Sequence, residues 1–132
     1  MAYSVFVVDD SKFMRMMLAE ILNTMGCEVI EADSGSRAVT MYEHYKPDLV
    51  TLDILMPEQD GIETLRQLLA VDPDAKVIMV TGLELDDYIK QAMELGAAGF
   101  VVKPFSPEQV EQVVAKVLGD ESLCNPSSDR EF

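Results

Sequence analysis

Asp9 and Asp10 stand side by side, Asp53 follows "DLVTL", Thr81 closes "KVIMV" and Lys103 closes "GFVV". Three carboxylates, a hydroxyl and an ammonium make a coherent chemical set if one surface gathers them. Carboxylates a few ångströms apart repel by roughly 4 kcal/mol per pair at an effective dielectric near 20, which over three groups rivals the stability of a small domain. Raised carboxyl pKa values would relieve part of this. A hard divalent cation bound through oxygen would relieve it more economically, and magnesium favours one or two carboxylates with waters and a phosphate. A hydroxyl and an ammonium beside such a cation form a receptor for a tetrahedral dianion. Asp53 is the candidate nucleophile, since a carboxylate can accept a phosphoryl group.

Whether these groups meet depends on the elements that carry them. Apolar runs bounded by turn residues alternate with stretches of helical period, the pattern of a βα chain with a parallel sheet. Strands are predicted over 3–8, 28–32, 48–53, 76–81 and 99–103. The first helix is predicted over 11–25 from the spacing of Phe13, Met14, Met17, Leu18, Ile21, Leu22 and Met25, with Gly26 stopping it. A second follows over 35–45. A third carries Ile62, Leu65, Leu68 and Leu69 and ends before Pro73, and a fourth spans 84–95 and stops at Gly96. The fifth starts at "SPEQ", with Ser106 as N-cap, Pro107 in the first turn and Gln109 completing a capping box.

Five strands with right-handed crossovers and helices on both faces give a doubly wound, flavodoxin-like (βα)5 sheet, most simply in the order 2-1-3-4-5. Residues 1–118 form this single domain, and 119–132 read as a polar, flexible tail. In that order the first and third strands are neighbours at the switch point, where ligands bind beyond the carboxyl ends of strands. Asp9, Asp10, Asp53, Thr81 and Lys103 all fall on that rim. Asp33 and Ser34, at the edge strand, fall outside it. Taken singly, Thr81 reads as a strand residue, while Lys103 fits a snorkelling surface lysine and a site residue equally well. Their convergence on one rim favours the site.

A formal charge of −14, from 24 acids and 10 bases, opposes any grip on nucleic acid or an anionic membrane. Cys27 and Cys124 lack zinc or redox spacing, no basic leader precedes "VFVV", and no apolar run is long enough to span a bilayer. A cytoplasmic location is expected. Met14, Met16 and Met17 read as gap-filling core and edge residues, and His44 as a solvated helix residue. There is no dinucleotide fingerprint or phosphate loop of the Walker type.

The ordered set "VVDDS", "DLVTLDILMPEQDG", "VIMVTG" and "GFVVKPF" resembles the receiver domain of two-component response regulators, over residues 3 to about 118. The resemblance implies that Asp9 and Asp10 hold Mg2+ with Asp53 and the Leu55 backbone carbonyl. It makes Asp53 the phosphorylated residue, Thr81 the switch hydroxyl and Lys103 the partner of the phosphoryl group, with a cis bond before Pro104. Phe100 takes the place of the switch aromatic, although on its own it reads as core. A histidine kinase is the implied phosphodonor, and the domain would hydrolyse its acyl phosphate slowly, as a switch and not as a turnover enzyme.

The implied output surface lies on the fourth helix, fifth strand and fifth helix, where Asp86, Asp87, Lys90, Phe100 and Gln109 would meet an unidentified protein target. "GAAGF" and "EQVVAKVLG" lack most of the charges with which the DNA-binding branch dimerises, so a monomeric, chemotaxis-like single-domain regulator is expected. One alternative is the receiver of a longer regulator. Another is an aspartate-nucleophile, magnesium-dependent phosphatase, which would place its nucleophile on the first strand and carry a cap.

Leu55 and Leu83, two residues after Asp53 and Thr81, border the path of attacking water in the family. Both are apolar and Gly82 leaves access to Asp53 open, so a long-lived phosphoryl group is expected. Leu55→Asn and Leu83→Glu should each speed the decay of phosphorylated Asp53 several-fold in a phosphate-release assay. Unchanged or slower decay in both would contradict this.

Overall fold

The computed structural model of the protein describes residues 2–54, 56, 60–82 and 86–124, without the side chains of Asp86, Glu121 and Cys124. Leu55 and Leu83 lie outside the described residues. The elements alternate as β1 (Ser4–Val8), α1 (Lys12–Thr24), β2 (Glu28–Ala32), α2 (Gly35–Tyr45), β3 (Leu49–Asp53), α3 (Gly61–Val71), β4 (Val77–Thr81), α4 (Asp86–Leu95), β5 (Gly99–Val102) and α5 (Pro107–Leu118), followed by a 3-10 turn at Glu121–Cys124. All four strand pairings are parallel, in the order β2-β1-β3-β4-β5.

The sheet is buried on both faces, so its inner strands alternate between two apolar cores and show no polar side. Phe6, Val8, Val50, Leu52, Val77 and Met79 pack with Ala38, Tyr42, Leu65, Leu68 and Ala92. On the other face Val5, Val7, Leu49, Ile78 and Val101 pack with Leu18, Ile21, Leu22, Val110 and Val114. Phe13 departs from the expected apolar stripe of α1. It is 69% exposed and Met16 is 58% exposed, because α1 crosses the sheet on its Leu18, Ile21 and Leu22 face and turns these two outward. His44 is exposed as expected and stands edge-on to Tyr45, with ring centroids 4.7 Å apart.

The starts of α1, α3 and α5 are set by short polar side chains. Ser11 Oγ accepts from Met14 N–H, Asp60 Oδ1 accepts from Glu63 N–H at 2.8 Å, and Ser106 with Gln109 forms the reciprocal box. Gly26, at φ 90°, ends α1 by turning its N–H to the Asn23 carbonyl. β5 stops at Val102, one residue earlier than the sequence suggests. Lys103 N–H still reaches the Thr81 carbonyl at 2.6 Å, but Pro104 has no N–H with which to extend the ladder.

Regular secondary structure also continues past Leu118. Tyr3 Oη donates to Asp120 Oδ2 at 3.1 Å, and Leu123 packs on the core beneath α1 and α5. No helix among the described residues is long and apolar enough to cross a membrane.

One close approach positions the end of β3. Gly61 N–H donates to the Ile54 carbonyl at 2.6 Å, drawing the first turn of α3 onto the backbone that carries Asp53. A β-carbon at position 61 would meet the Asp53 carbonyl oxygen and sit 2.7 Å from Ile54 Cα, so only glycine fits. Gly61→Ala is expected to cost about 2–3 kcal/mol in urea unfolding, as backbone overpacking does. A variant as stable as the parent would show that the contact relaxes freely.

Candidate functional site

Two strand ends build the acidic centre. Asp9 follows β1 and extends its pairing, its N–H donating to the Ala32 carbonyl at 3.1 Å. Its Oδ1 accepts the Ser11 N–H at 2.9 Å, bending the chain into α1. Asp10 is exposed, whereas Asp53, at the end of β3, is only 6% exposed. Asp9, Asp10 and Asp53 each bring one carboxylate oxygen within 4.8 Å of the others.

β4 and β5 supply the remaining groups. Thr81 is fully buried at the end of β4. Lys103, just past β5, places Nζ 3.5 Å from Asp9 Oδ2 and 3.6 Å from Asp53 Oδ1, with a side chain only 19% exposed. At these separations the ammonium is an ion-pair partner shared by two carboxylates and a tight hydrogen bond to neither. The Lys103–Pro104 peptide is cis. All five rim residues read from the sequence thus lie at one end of the sheet, while the Leu55 carbonyl lies outside the described residues.

Burial dominates the electrostatics of Asp9. It pushes the carboxyl up from the usual value of 3.8, and the Ser11 N–H and the Lys103 ammonium only partly oppose it. An acid raised on folding holds its proton better in the native state. The stability this confers is complete below about pH 3.8 and is lost as pH rises through the raised value. At neutral pH the ionised Asp9 is a net cost that a bound cation would offset.

Asp33 and Ser34, expected to stand apart, face Asp10 across a cavity of about 360 Å³ that Ser36, Arg37 and Met56 also line. Phe100 is 42% exposed on β5, where it borders a shallow groove with Val102, Gln109, Gln112 and Val113. Asp87 and Lys90 are exposed along α4, and the Asp86 side chain lies outside the described set.

Sequence reasoning missed Arg15. Its Nη1 donates to the Asp9 carbonyl at 2.7 Å and its Nε to Glu31 Oε1 at 3.1 Å. A basic residue one turn into the helix that follows an acidic pair was the available signal.

The family model for the response regulator receiver domain matches residues 5–115. The chemotaxis protein CheY of Bacillus subtilis is 42% identical over 119 residues, which are 89% of this chain and 99% of that protein. Sporulation initiation phosphotransferase F of the same organism is 34% identical over 114 residues, 86% of this chain and 92% of the other. A chain of the CheX–CheY–BeF3–Mg2+ complex from Borrelia burgdorferi aligns with a TM-score of 0.84 and 37% identity, across 87% of this chain and 88% of that one. A doubly wound sheet with an acidic pocket at its switch point, matched by such proteins over most of its length, defines a two-component phosphoacceptor switch. The chain belongs to the response regulator receiver domain family.

Asp9→Asn is expected to raise the thermal midpoint of the cation-free protein at pH 7 by about 4 °C, the equivalent of roughly 1 kcal/mol in a domain of this size. The gain should shrink as pH falls toward 4, where the native aspartate takes up its proton. A midpoint lowered at pH 7 in EDTA would refute the net cost of the buried charge.

Proposed function

We propose that Asp53 takes a phosphoryl group from the phosphohistidine of a histidine kinase, with Mg2+ held by Asp9, Asp10 and Asp53. The observation that carries this is the buried Asp53 oxygen on a rim with two further carboxylates and a shared ammonium. The donor set fits the ion: three hard oxygens, one of them on a carboxyl whose ionisation is costly without a counter-charge. The Borrelia complex, which carries BeF3 and Mg2+, supports the same pairing of cation and phosphoryl-like guest. When bound, Mg2+ supplies neutralisation of the charge that gathers on the phosphoryl oxygens.

The protein's own groups account for the rest. An Asp53 oxygen attacks phosphorus, an O–P bond forms, and the N–P bond to histidine breaks with its electron pair returning to the ring. Lys103 meets the incoming dianion, which competes with Asp9 for the ammonium, and the buried Thr81 hydroxyl offers a further donor at the end of β4. Slow hydrolysis resets the switch, so the domain performs no multiple turnover on an outside substrate.

Output is assigned to the face formed by α4, β5 and α5. Phe100 stands half-exposed there beside Gln109, with Asp87 and Lys90 on the adjoining helix, and inward movement of Thr81 would make room for the aromatic ring. The CheY relatives support a regulator of a protein target in a chemotaxis-type pathway, which we read as cytoplasmic and monomeric.

Mass spectrometry after acetyl phosphate and Mg2+ tests the chemistry. One phosphoryl group per chain is expected on the parent and none on Asp53→Asn. Sustained release of phosphate from phosphomonoesters, or labelling that survives Asp53→Asn, would favour a phosphatase or another acceptor.

A further inference from the structure

Arg15 takes no part in the reaction outlined above, yet its side chain is only 15% exposed and two of its guanidinium nitrogens are hydrogen-bonded. Nη1 holds the Asp9 carbonyl at 2.7 Å. That carbonyl belongs to the peptide joining Asp9 to Asp10, so its direction sets how Asp10 leaves the strand. The same peptide region is held from the sheet by Asp9 N–H on the Ala32 carbonyl and from the helix by the Asp9–Ser11 turn. Nε holds Glu31 on β2, next in sequence to Ala32, at 3.1 Å. A planar guanidinium spans two acceptors that diverge in this way, and one ammonium does not.

Charge alone would argue against a cation in this place beside a magnesium site. Glu31 removes that objection by balancing the guanidinium, which leaves the clamp's geometry without a net repulsive field. We propose that Arg15 is a positioning residue that fixes the Asp9–Asp10 turn for divalent cation binding, anchored in turn by Glu31. This rests on the magnesium reading of the acidic centre given above.

The test is a Mg2+ titration of the full chain followed by amide 1H–15N shifts, for the parent, Arg15→Gln and Arg15→Lys, with metal-free thermal midpoints as the control for folding. Loss of such a supporting contact costs about ten-fold or more in metal affinity. Arg15→Gln should weaken Mg2+ binding by that amount, and Arg15→Lys should also weaken it although charge is kept. Arg15→Lys alone decides the matter if Arg15→Gln does not fold. A parent-like Kd in Arg15→Lys, or tighter binding in Arg15→Gln, would reduce the residue to a charge and overturn the proposal. Variants that match a magnesium-binding parent refute this inference alone, whereas a parent that takes up no Mg2+ refutes the cation reading and this inference together.

Discussion

The structure is organised around carboxylates that the sheet holds close together and, at Asp9, away from water. Asp9 and Asp53 end adjacent parallel strands whose lower residues are locked by two apolar cores, so neither carboxylate can retreat without disturbing Val7, Val8 or Leu52. Burial of Asp9 raises the cost of its charge, and Lys103 offsets that only in part from 3.5 Å. A pocket under this tension favours any ligand that brings positive charge. It also favours any change on Asp53 that gives Lys103 a stronger partner.

The packing that creates the tension also limits how it can relax. Gly61 presses α3 onto the backbone at Asp53 and Ile54, and the Asp9 turn is held from β2, α1 and Arg15. Movement is therefore cheaper on the other side of the rim, where β5 is an edge strand and Phe100 lies half in solvent. Tethered acids and an exposed edge strand suit the proposed readout at β5 of chemistry at β3.

Much of this was legible in the sequence because it depends on period and position. Alternation of buried strands with helical stripes makes a doubly wound parallel sheet, for which 2-1-3-4-5 is the simplest order, and in that order the strand ends bring Asp9, Asp53, Thr81 and Lys103 to one rim. The Ser106–Gln109 box is local and could be read directly. Arg15 could not be read so simply, since its key bond goes to a backbone carbonyl, which carries no side-chain signature. Phe13 misled for a related reason: it keeps helical spacing with the core residues, but only the crossing of α1 over the sheet decides which side of that broad stripe is covered. In the tail a single apolar residue, Leu123, with Tyr3 and Asp120, suffices to dock a turn, and one residue makes no period.

Lys103 shows why position matters more than strength in such a site. It lies almost equally far from Asp9 and Asp53, bonded tightly to neither, and its backbone N–H is tied to the Thr81 carbonyl. A tight pair with Asp53 would neutralise the nucleophile and leave little to gain from a phosphoryl group. A tight pair with Asp9 would quench the charge that favours a cation. The intermediate placement shares one ammonium between the two carboxylates, and through Thr81 and the start of the β5 connection it joins the acid side of the rim to the edge where Phe100 stands. In the proposed reaction, added charge on Asp53 would draw on that one shared ammonium, so chemistry and readout would meet in a single side chain.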